Sequence, residues 1–202
     1  MEIELKAPID WKIVEKIWNN PVGRDFVIKQ DRYFSLQGKV EDKPKNVYRI
    51  RNNYVIQPSQ PSIDWLKKSF FTENDLTELA EKFTKENVVT YKIKSFQGTE
   101  VNEEFETSVQ DDSVLLKIFE SLDYKVYFTK EKRSVIFNIN DLCVEIVKVN
   151  NSDLYLEAEA FTDNEKDVSK VQQKLKDFFE EYGITEFDNR SWREITHDIG
   201  TF

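Results

Sequence analysis

Like charges set two residues apart, with an apolar residue between or beside them, recur along this chain and constrain its fold more than any other feature. The first set is Glu2-Ile3-Glu4-Leu5-Lys6. On a β-strand successive side chains point to opposite faces, so Glu2, Glu4 and Lys6 share one face and Ile3 and Leu5 the other. The device returns as Arg49-Ile50-Arg51, Lys92-Ile93-Lys94 and Glu104-Phe105-Glu106. Lys130 and Lys132, with Arg133 adjacent, form a basic group. Glu145 stands inside the apolar run Leu142 to Val147, and Glu157-Ala158-Glu159 follows Leu154-Tyr155-Leu156.

A single pair of this kind fits an antiparallel sheet with one face in water. The set as a whole is sorted strand by strand into acidic, basic, basic, acidic, basic and acidic, which points to a shared interior. A closed barrel of about eight strands leaves a lumen just wide enough for one small ligand. Charges of both signs facing a dry lumen would be costly. A wet lumen that holds a polyanion and a metal together removes that cost. The expected class is therefore α+β, mainly antiparallel β: a closed eight-stranded β-barrel, or tunnel, with peripheral helices.

Composition narrows the chemistry. The net charge of −9 argues against a nucleic-acid partner. Five glycines in 202 residues leave no Gly-rich phosphate loop, so side-chain cations must hold any phosphate. One histidine, His197 in the polar tail, excludes a His-rich zinc site, and carboxylate oxygens remain for Mg²⁺ or Mn²⁺. The lone Cys143 excludes an internal disulfide and reads as core packing. No apolar run approaches membrane-spanning length and no secretory h-region follows Met1, so a cytoplasmic protein without a membrane partner is expected.

Helices read as peripheral. Asp10 can N-cap a short helix with Trp11, Val14, Ile17 and Trp18 on one side. Thr72 with Asp75 opens a second through Leu76, Leu79, Ala80 and Phe83. Val114, Leu115, Ile118, Phe119 and Leu122 form a third stripe, expected to pack on the barrel. The longest pattern, Glu165 to Tyr182, turns Val168, Val171, Leu175, Phe178 and Phe179 inward and stops at Gly183.

The motifs, taken in order, resemble the CYTH, or triphosphate tunnel metalloenzyme, superfamily. Glu2-x-Glu4-x-Lys6 is similar to its N-terminal signature, Asp31-Arg32-Tyr33-Phe34 to its D-x-Y-F element, and Tyr48-Arg49-Ile50-Arg51 to its L-R-I-R strand. Thr90-Tyr91-Lys92 looks like the T-Y-K strand, and Glu104-x-Glu106-x-x-Val109-x-Asp111 like the stretch that leads into a helix. Lys130-Glu131-Lys132-Arg133 stands where a K-x-R element belongs, registered as Lys130 with Lys132 or as Lys132 with Arg133. Glu145-Ile146-Val147 and Leu156-Glu157-Ala158-Glu159 fit the two remaining acidic positions. Arg190-Ser191-Trp192-Arg193-Glu194-Ile195 resembles the tail of the class IV adenylyl cyclase subgroup. The chain departs from the pattern at Asn102, where an arginine is usual, and at Asn150-Asn151-Ser152-Asp153, which replaces a glycine turn. The stretch from 52 to 89 is longer than the family's turn there and reads as an insertion in a single 1–202 domain, a lid or an oligomer contact.

The resemblance implies that Lys6, Arg49, Arg51, Lys92, Lys94, Lys130, Lys132 and Arg133 grip a triphosphate. It implies that Glu2, Glu4, Glu145, Glu157 and Glu159 hold Mg²⁺ or Mn²⁺, with Glu104 and Glu106 as further acidic candidates. Glu2, Glu4, Lys6, Lys92, Glu104 and Glu106 are the expected catalytic set. Attack of a ribose 3′-hydroxyl on the α-phosphorus of ATP makes such an enzyme a cyclase; attack of water on the terminal phosphorus makes it a triphosphatase. A non-catalytic polyphosphate-binding module is the third possibility, and a homodimer is compatible with each.

Overall fold

In the computed structural model, residues 1–20, 22–36, 46–72, 83–96 and 100–198 are described. Eight strands form the frame: β1 (Glu2–Pro8), β2 (Arg24–Leu36), β3 (Asn46–Ile56), β4 (Phe83–Phe96), β5 (Glu100–Val109), β6 (Tyr124–Ile139), β7 (Leu142–Val149) and β8 (Leu154–Phe161). All pairings are antiparallel, in the ring order β1-β5-β4-β3-β2-β6-β7-β8. The two seams at β1 differ. It pairs with β8 from Glu2↔Phe161 to Pro8↔Tyr155, but with β5 only from Glu2↔Asn102 to Glu4↔Glu100.

The apolar core lies outside the ring, not within it. Ile3, Leu5 and Ala7 of β1, Val144 and Ile146 of β7, and Leu156, Ala158 and Ala160 of β8 are buried on the outward face. Helix α1 (Trp11–Trp18) covers this face with Val14 and Ile17, and α4 (Val168–Glu181) with Val168, Leu175, Phe178 and Phe179. Both follow their sequence signals. The Asp10 carboxylate accepts from the Lys12 and Ile13 amides at 2.9 and 3.0 Å, and the chain after α4 turns at Gly183 with φ +79°. No described helix is long and apolar enough to cross a membrane.

The turns replace glycine with asparagine and aspartate. Asn140 and Asp141, at φ 53° and 60°, make the two-residue hairpin between β6 and β7, and Asn150 takes φ 49° after β7. Short polar side chains tolerate this left-handed region best among non-glycine residues.

Strands β3 and β4 extend to Ile56 and from Phe83, well into the stretch expected as an insertion. Between them α2 (Ile63–Trp65) runs into a π-helical turn at Leu66–Phe70, and Leu66, Phe70 and Phe71 join the main core. This part is a plug of the apolar core. The helix expected after Thr72 falls mostly on 73–82, outside the described residues, and Phe83, expected as its last inward residue, opens β4 instead.

Helix α3 (Asp112–Ser121) begins at Asp111, whose carboxylate accepts from the Ser113 amide at 2.8 Å. Its expected packing stripe is only partly used. Phe119 meets Phe34, Tyr48 and Tyr124, whereas Val114, Ile118 and Leu122 are 53%, 48% and 57% exposed. Phe119 is only half-buried against these aromatics, and no residue of α3 is fully buried.

Candidate active site

The inward faces of the strands and the C-terminal segment enclose a cavity of about 440 Å³. Strand order sorts its walls by charge. Along the chain the acidic and basic strands are interspersed, but the ring brings β7, β8, β1 and β5 together, with Glu145, then Glu157 and Glu159, then Glu2 and Glu4, then Glu104 and Glu106. Next to them β4, β3, β2 and β6 carry Lys92, then Arg49 and Arg51, then Lys29, then Lys130 and Lys132. An acidic arc thus faces a basic arc, with Lys6 and Asp31 as the exceptions to each.

Asp31 holds the centre of the basic arc. Its carboxylate accepts from Arg51 Nε at 2.6 Å, Arg51 Nη2 at 2.9 Å and the Tyr33 hydroxyl at 3.1 Å, and Lys130 Nζ lies 3.3 Å away. Burial opposes its ionisation, yet Arg51 and Lys130 hold the carboxyl well below the usual range. Arg49 Nη2 donates to Thr90 Oγ1 at 2.8 Å and to Glu106 at 3.2 Å. Lys92 Nζ is 2.7 Å from Glu104 and 3.6 Å from Glu2. Despite burial, Lys92 and Arg49 draw the Glu104 carboxyl down.

Lys132 joins the arcs. It contacts Glu157 and lies 2.7 Å from Glu145 Oε2, which also accepts from Ser134 Oγ at 2.7 Å. Lys29 Nζ takes the other oxygen, Oε1, at 2.9 Å. Burial alone would lower the Lys132 ammonium, but Glu145 and Glu157 outweigh it and hold it well above the ordinary lysine value. Glu145 is held well below the carboxylate range against its burial, chiefly by Lys132 and Lys29. For Lys29 burial wins over Glu145, and its pKa is lowered.

One group of oxygens fits a hard cation. Single carboxylate oxygens of Glu2, Glu4 and Glu159 lie within 4.8 Å of one another. Burial, Glu2 and Glu145 push the Glu159 carboxyl up to about 7, as expected where several carboxylates share a site. An all-oxygen donor set suits Mg²⁺ or Mn²⁺. A second group, Cys143 with Glu145 and Glu159, is equally close. Among the described residues Glu157 belongs to neither; its oxygens meet Lys132 and Trp192 Nε1, the latter at 2.6 Å.

Aromatic side chains finish the cavity. The β2–β6 register slips between Tyr33↔Phe128 and Phe34↔Val126, leaving Tyr127 as the extra residue. A bulge re-aims side chains, and here Tyr127 and Phe128 both line the cavity. Helix α5 (Trp192–Asp198) lies beside them: the Arg193 guanidinium sits 5.7 Å from the Tyr127 ring centre, and Trp192 packs edge-on to Tyr155.

The sequence-derived set therefore gathers with few exceptions. Glu2, Glu4, Lys6, Arg49, Arg51, Lys92, Glu104, Glu106, Lys130, Lys132, Glu145, Glu157 and Glu159 all line one cavity. Arg133 does not. Strand parity turns it outward, where Nη1 donates to the Phe70 carbonyl at 2.7 Å and Nε to Glu131 at 2.8 Å, so the basic element registers as Lys130 with Lys132. Lys94 stands on β4 opposite Asn102, with its side chain outside the described part. Cys143 is half-buried on the lumen side beside Glu159 instead of in the apolar core, and burial with that charge pushes its thiol up to about 12. Lys29 escaped sequence reading, although its parity with Asp31 and Tyr33 was visible. Tyr127 was hidden because a bulge has no period.

Comparisons with known proteins agree with this fold. The profile of the family described as CYTH domain matches residues 1–191. No curated protein matches the chain. Among solved structures, the PH1819 protein from Pyrococcus horikoshii OT3 aligns with TM-score 0.77 at 18% identity, over 98% of this chain and 99% of that one. A proposed adenylate cyclase from Vibrio parahaemolyticus gives 0.65 at 13%, over 97% of each chain. A protein from Hippeastrum, a proposed adenylyl cyclase described as having a dominant triphosphatase activity, gives 0.62 at 14%, over 98% of this chain and 96% of that one. At these identities the likeness is one of fold.

Proposed function

The chain belongs to the CYTH domain family, and from that premise we propose that it is a metal-dependent enzyme acting on a nucleoside triphosphate inside its barrel. The observation that carries the proposal is the pair of opposed arcs: cations on β4, β3, β2 and β6 across one cavity from Glu2, Glu4 and Glu159. Arg49 and Arg51 offer planar forks to phosphate oxygens, and Lys92, Lys130 and Lys132 offer point charges. Glu2, Glu4 and Glu159 would hold Mg²⁺ or Mn²⁺, which neutralises charge developing on phosphate oxygens as a P–O bond breaks. The remaining work is positioning and electrostatics, and no covalent nucleophile is needed.

The leading reading is a cyclase of the class IV type. The ribose 3′-hydroxyl attacks the α-phosphorus, its proton is lost, and pyrophosphate leaves. Tyr127 and Phe128 support an organic substituent on the triphosphate, since inorganic triphosphate has nothing to stack on them. A second reading, hydrolysis, is favoured by Glu106. Its side chain lines the cavity yet is 48% exposed, so water reaches that wall.

Phosphorus NMR of the products from ATP and from inorganic triphosphate, each with Mg²⁺ and Mn²⁺, separates these readings. Cyclic AMP with pyrophosphate supports the cyclase, and orthophosphate alone supports the triphosphatase. No turnover of either substrate leaves a binding module.

A further inference from the structure

Both oxygens of Glu145 are occupied by the protein's own donors. Lys29 Nζ lies 2.9 Å from Oε1; Lys132 Nζ and Ser134 Oγ each lie 2.7 Å from Oε2. Yet Glu145 also belongs to a close group with Cys143 and Glu159, and Glu159 belongs in turn to the group with Glu2 and Glu4. Two adjacent groups of ligand-type atoms thus share Glu159, and they differ in what surrounds them. The Glu2–Glu4–Glu159 position is all carboxylate. The Cys143–Glu145–Glu159 position has a thiol, a poor partner for a hard cation, and the ammonium groups of Lys29 and Lys132 already on Glu145.

Lys29 is the group that makes the difference. It comes from β2, across the ring from β1, and its side chain is 14% exposed. A divalent ion bound by Glu145 would have to displace this ammonium or sit against it, and like charges at such range repel strongly in a partly desolvated site.

We propose that Lys29 takes the place of a second divalent cation, so that the chain holds a single metal ion at Glu2, Glu4 and Glu159. The inference rests on the metal-dependent reading given above. It makes Lys29 a positioning residue: its Nζ, 2.9 Å from Glu145 Oε1, keeps Glu145 and Lys132 aligned while occupying the place of a second ion.

The test is a Mn²⁺ titration of the nucleotide-free protein, with free Mn²⁺ followed by electron paramagnetic resonance. The wild type should bind one ion per chain. Lys29→Met should bind two, and Lys29→Arg, which keeps the charge, should stay at one. Glu159→Gln should lose the tight ion. Two ions in the wild type overturn the proposal without help from any variant. One ion in a folded Lys29→Met protein overturns the role of Lys29 and leaves the metal reading standing. No ion in the wild type overturns both.

Discussion

Arg51 meets Asp31 through two parallel hydrogen bonds, Nε to Oδ1 at 2.6 Å and Nη2 to Oδ2 at 2.9 Å, across the β2–β3 pair that sets the two residues directly opposite each other. Asp31 is fully buried and also lies 3.3 Å from Lys130. One carboxylate therefore pairs with two cations of the wall proposed to hold the triphosphate, and the trio keeps one net positive charge. It shows how a barrel can store so much positive charge before its ligand arrives.

Asp31→Asn should leave Arg51 and Lys130 unpaired. Breaking one partner from a buried pair costs about 3–5 kcal/mol, a fall in Tm of roughly 10 °C for a chain this size. Added triphosphate should raise Tm more in the variant than in the wild type. Equal increments in thermal melts would mean that these cations do not meet the phosphates.

Glu4→Ala should fold normally and lose metal-dependent turnover. Removing one metal ligand forfeits several kcal/mol of charge stabilisation, so kcat should fall by about 10²–10³. Far-UV and near-UV circular dichroism establish the fold, and steady-state kinetics read the loss. A variant that fails to fold would make Glu4 a structural partner.

Tyr127→Ala should separate substrates. One lost stacking contact is worth about 1–3 kcal/mol, so KM for ATP should rise about tenfold while KM for inorganic triphosphate stays unchanged. A parallel rise for both would place Tyr127 in packing alone.

Arg133→Met should do the reverse. The Phe70 carbonyl and Glu131 lose a charged donor, which costs about 1.5–3 kcal/mol, while KM stays constant because the residue faces away from the cavity. Chemical denaturation with kinetics on the same sample checks both halves.

Asp188 gives a pH dependence. Hydrogen bonds from Arg190 and Tyr155 outweigh partial burial and draw its carboxyl down to about 2, against about 3.9 in an unfolded chain. A depressed acid stabilises the fold above its unfolded pKa, and that stabilisation disappears as pH falls from about 4 through 2. Asp188→Asn should therefore melt with a shallower loss of Tm over this interval than the wild type. Identical acid slopes would remove Asp188 as a contributor to the docking of the C-terminal segment.

Much of the site could be read without coordinates, because side-chain parity on a strand is a local property. Glu2 with Glu4, Arg49 with Arg51, and Glu157 with Glu159 had to share a face wherever their strands went, and all six line the cavity. The same rule settles Lys130 with Lys132 over Arg133 once the strand is placed. Parity also set Cys143 with Glu145 on the lumen face, where an apolar context in the sequence suggested core. Helix α3 misled for a related reason: an amphipathic stripe reports what a helix can bury, and the surface available beneath it is decided elsewhere.

The sequence by itself determined which residues share a face, the strand-rich frame, the cap at Asp10, and an ionic lumen in place of an apolar one. These follow from period-two alternation and local hydrogen bonding. Only the tertiary structure decided that acidic and basic strands interspersed along the chain become two opposed arcs, because the ring order sets β1 next to β5 and β8. It alone decided that Glu145 is taken by Lys29 and Lys132, and that the bulge at Tyr127 turns two aromatics inward. Those facts depend on which strands are neighbours and in what register, and no stretch of sequence carries that information within itself.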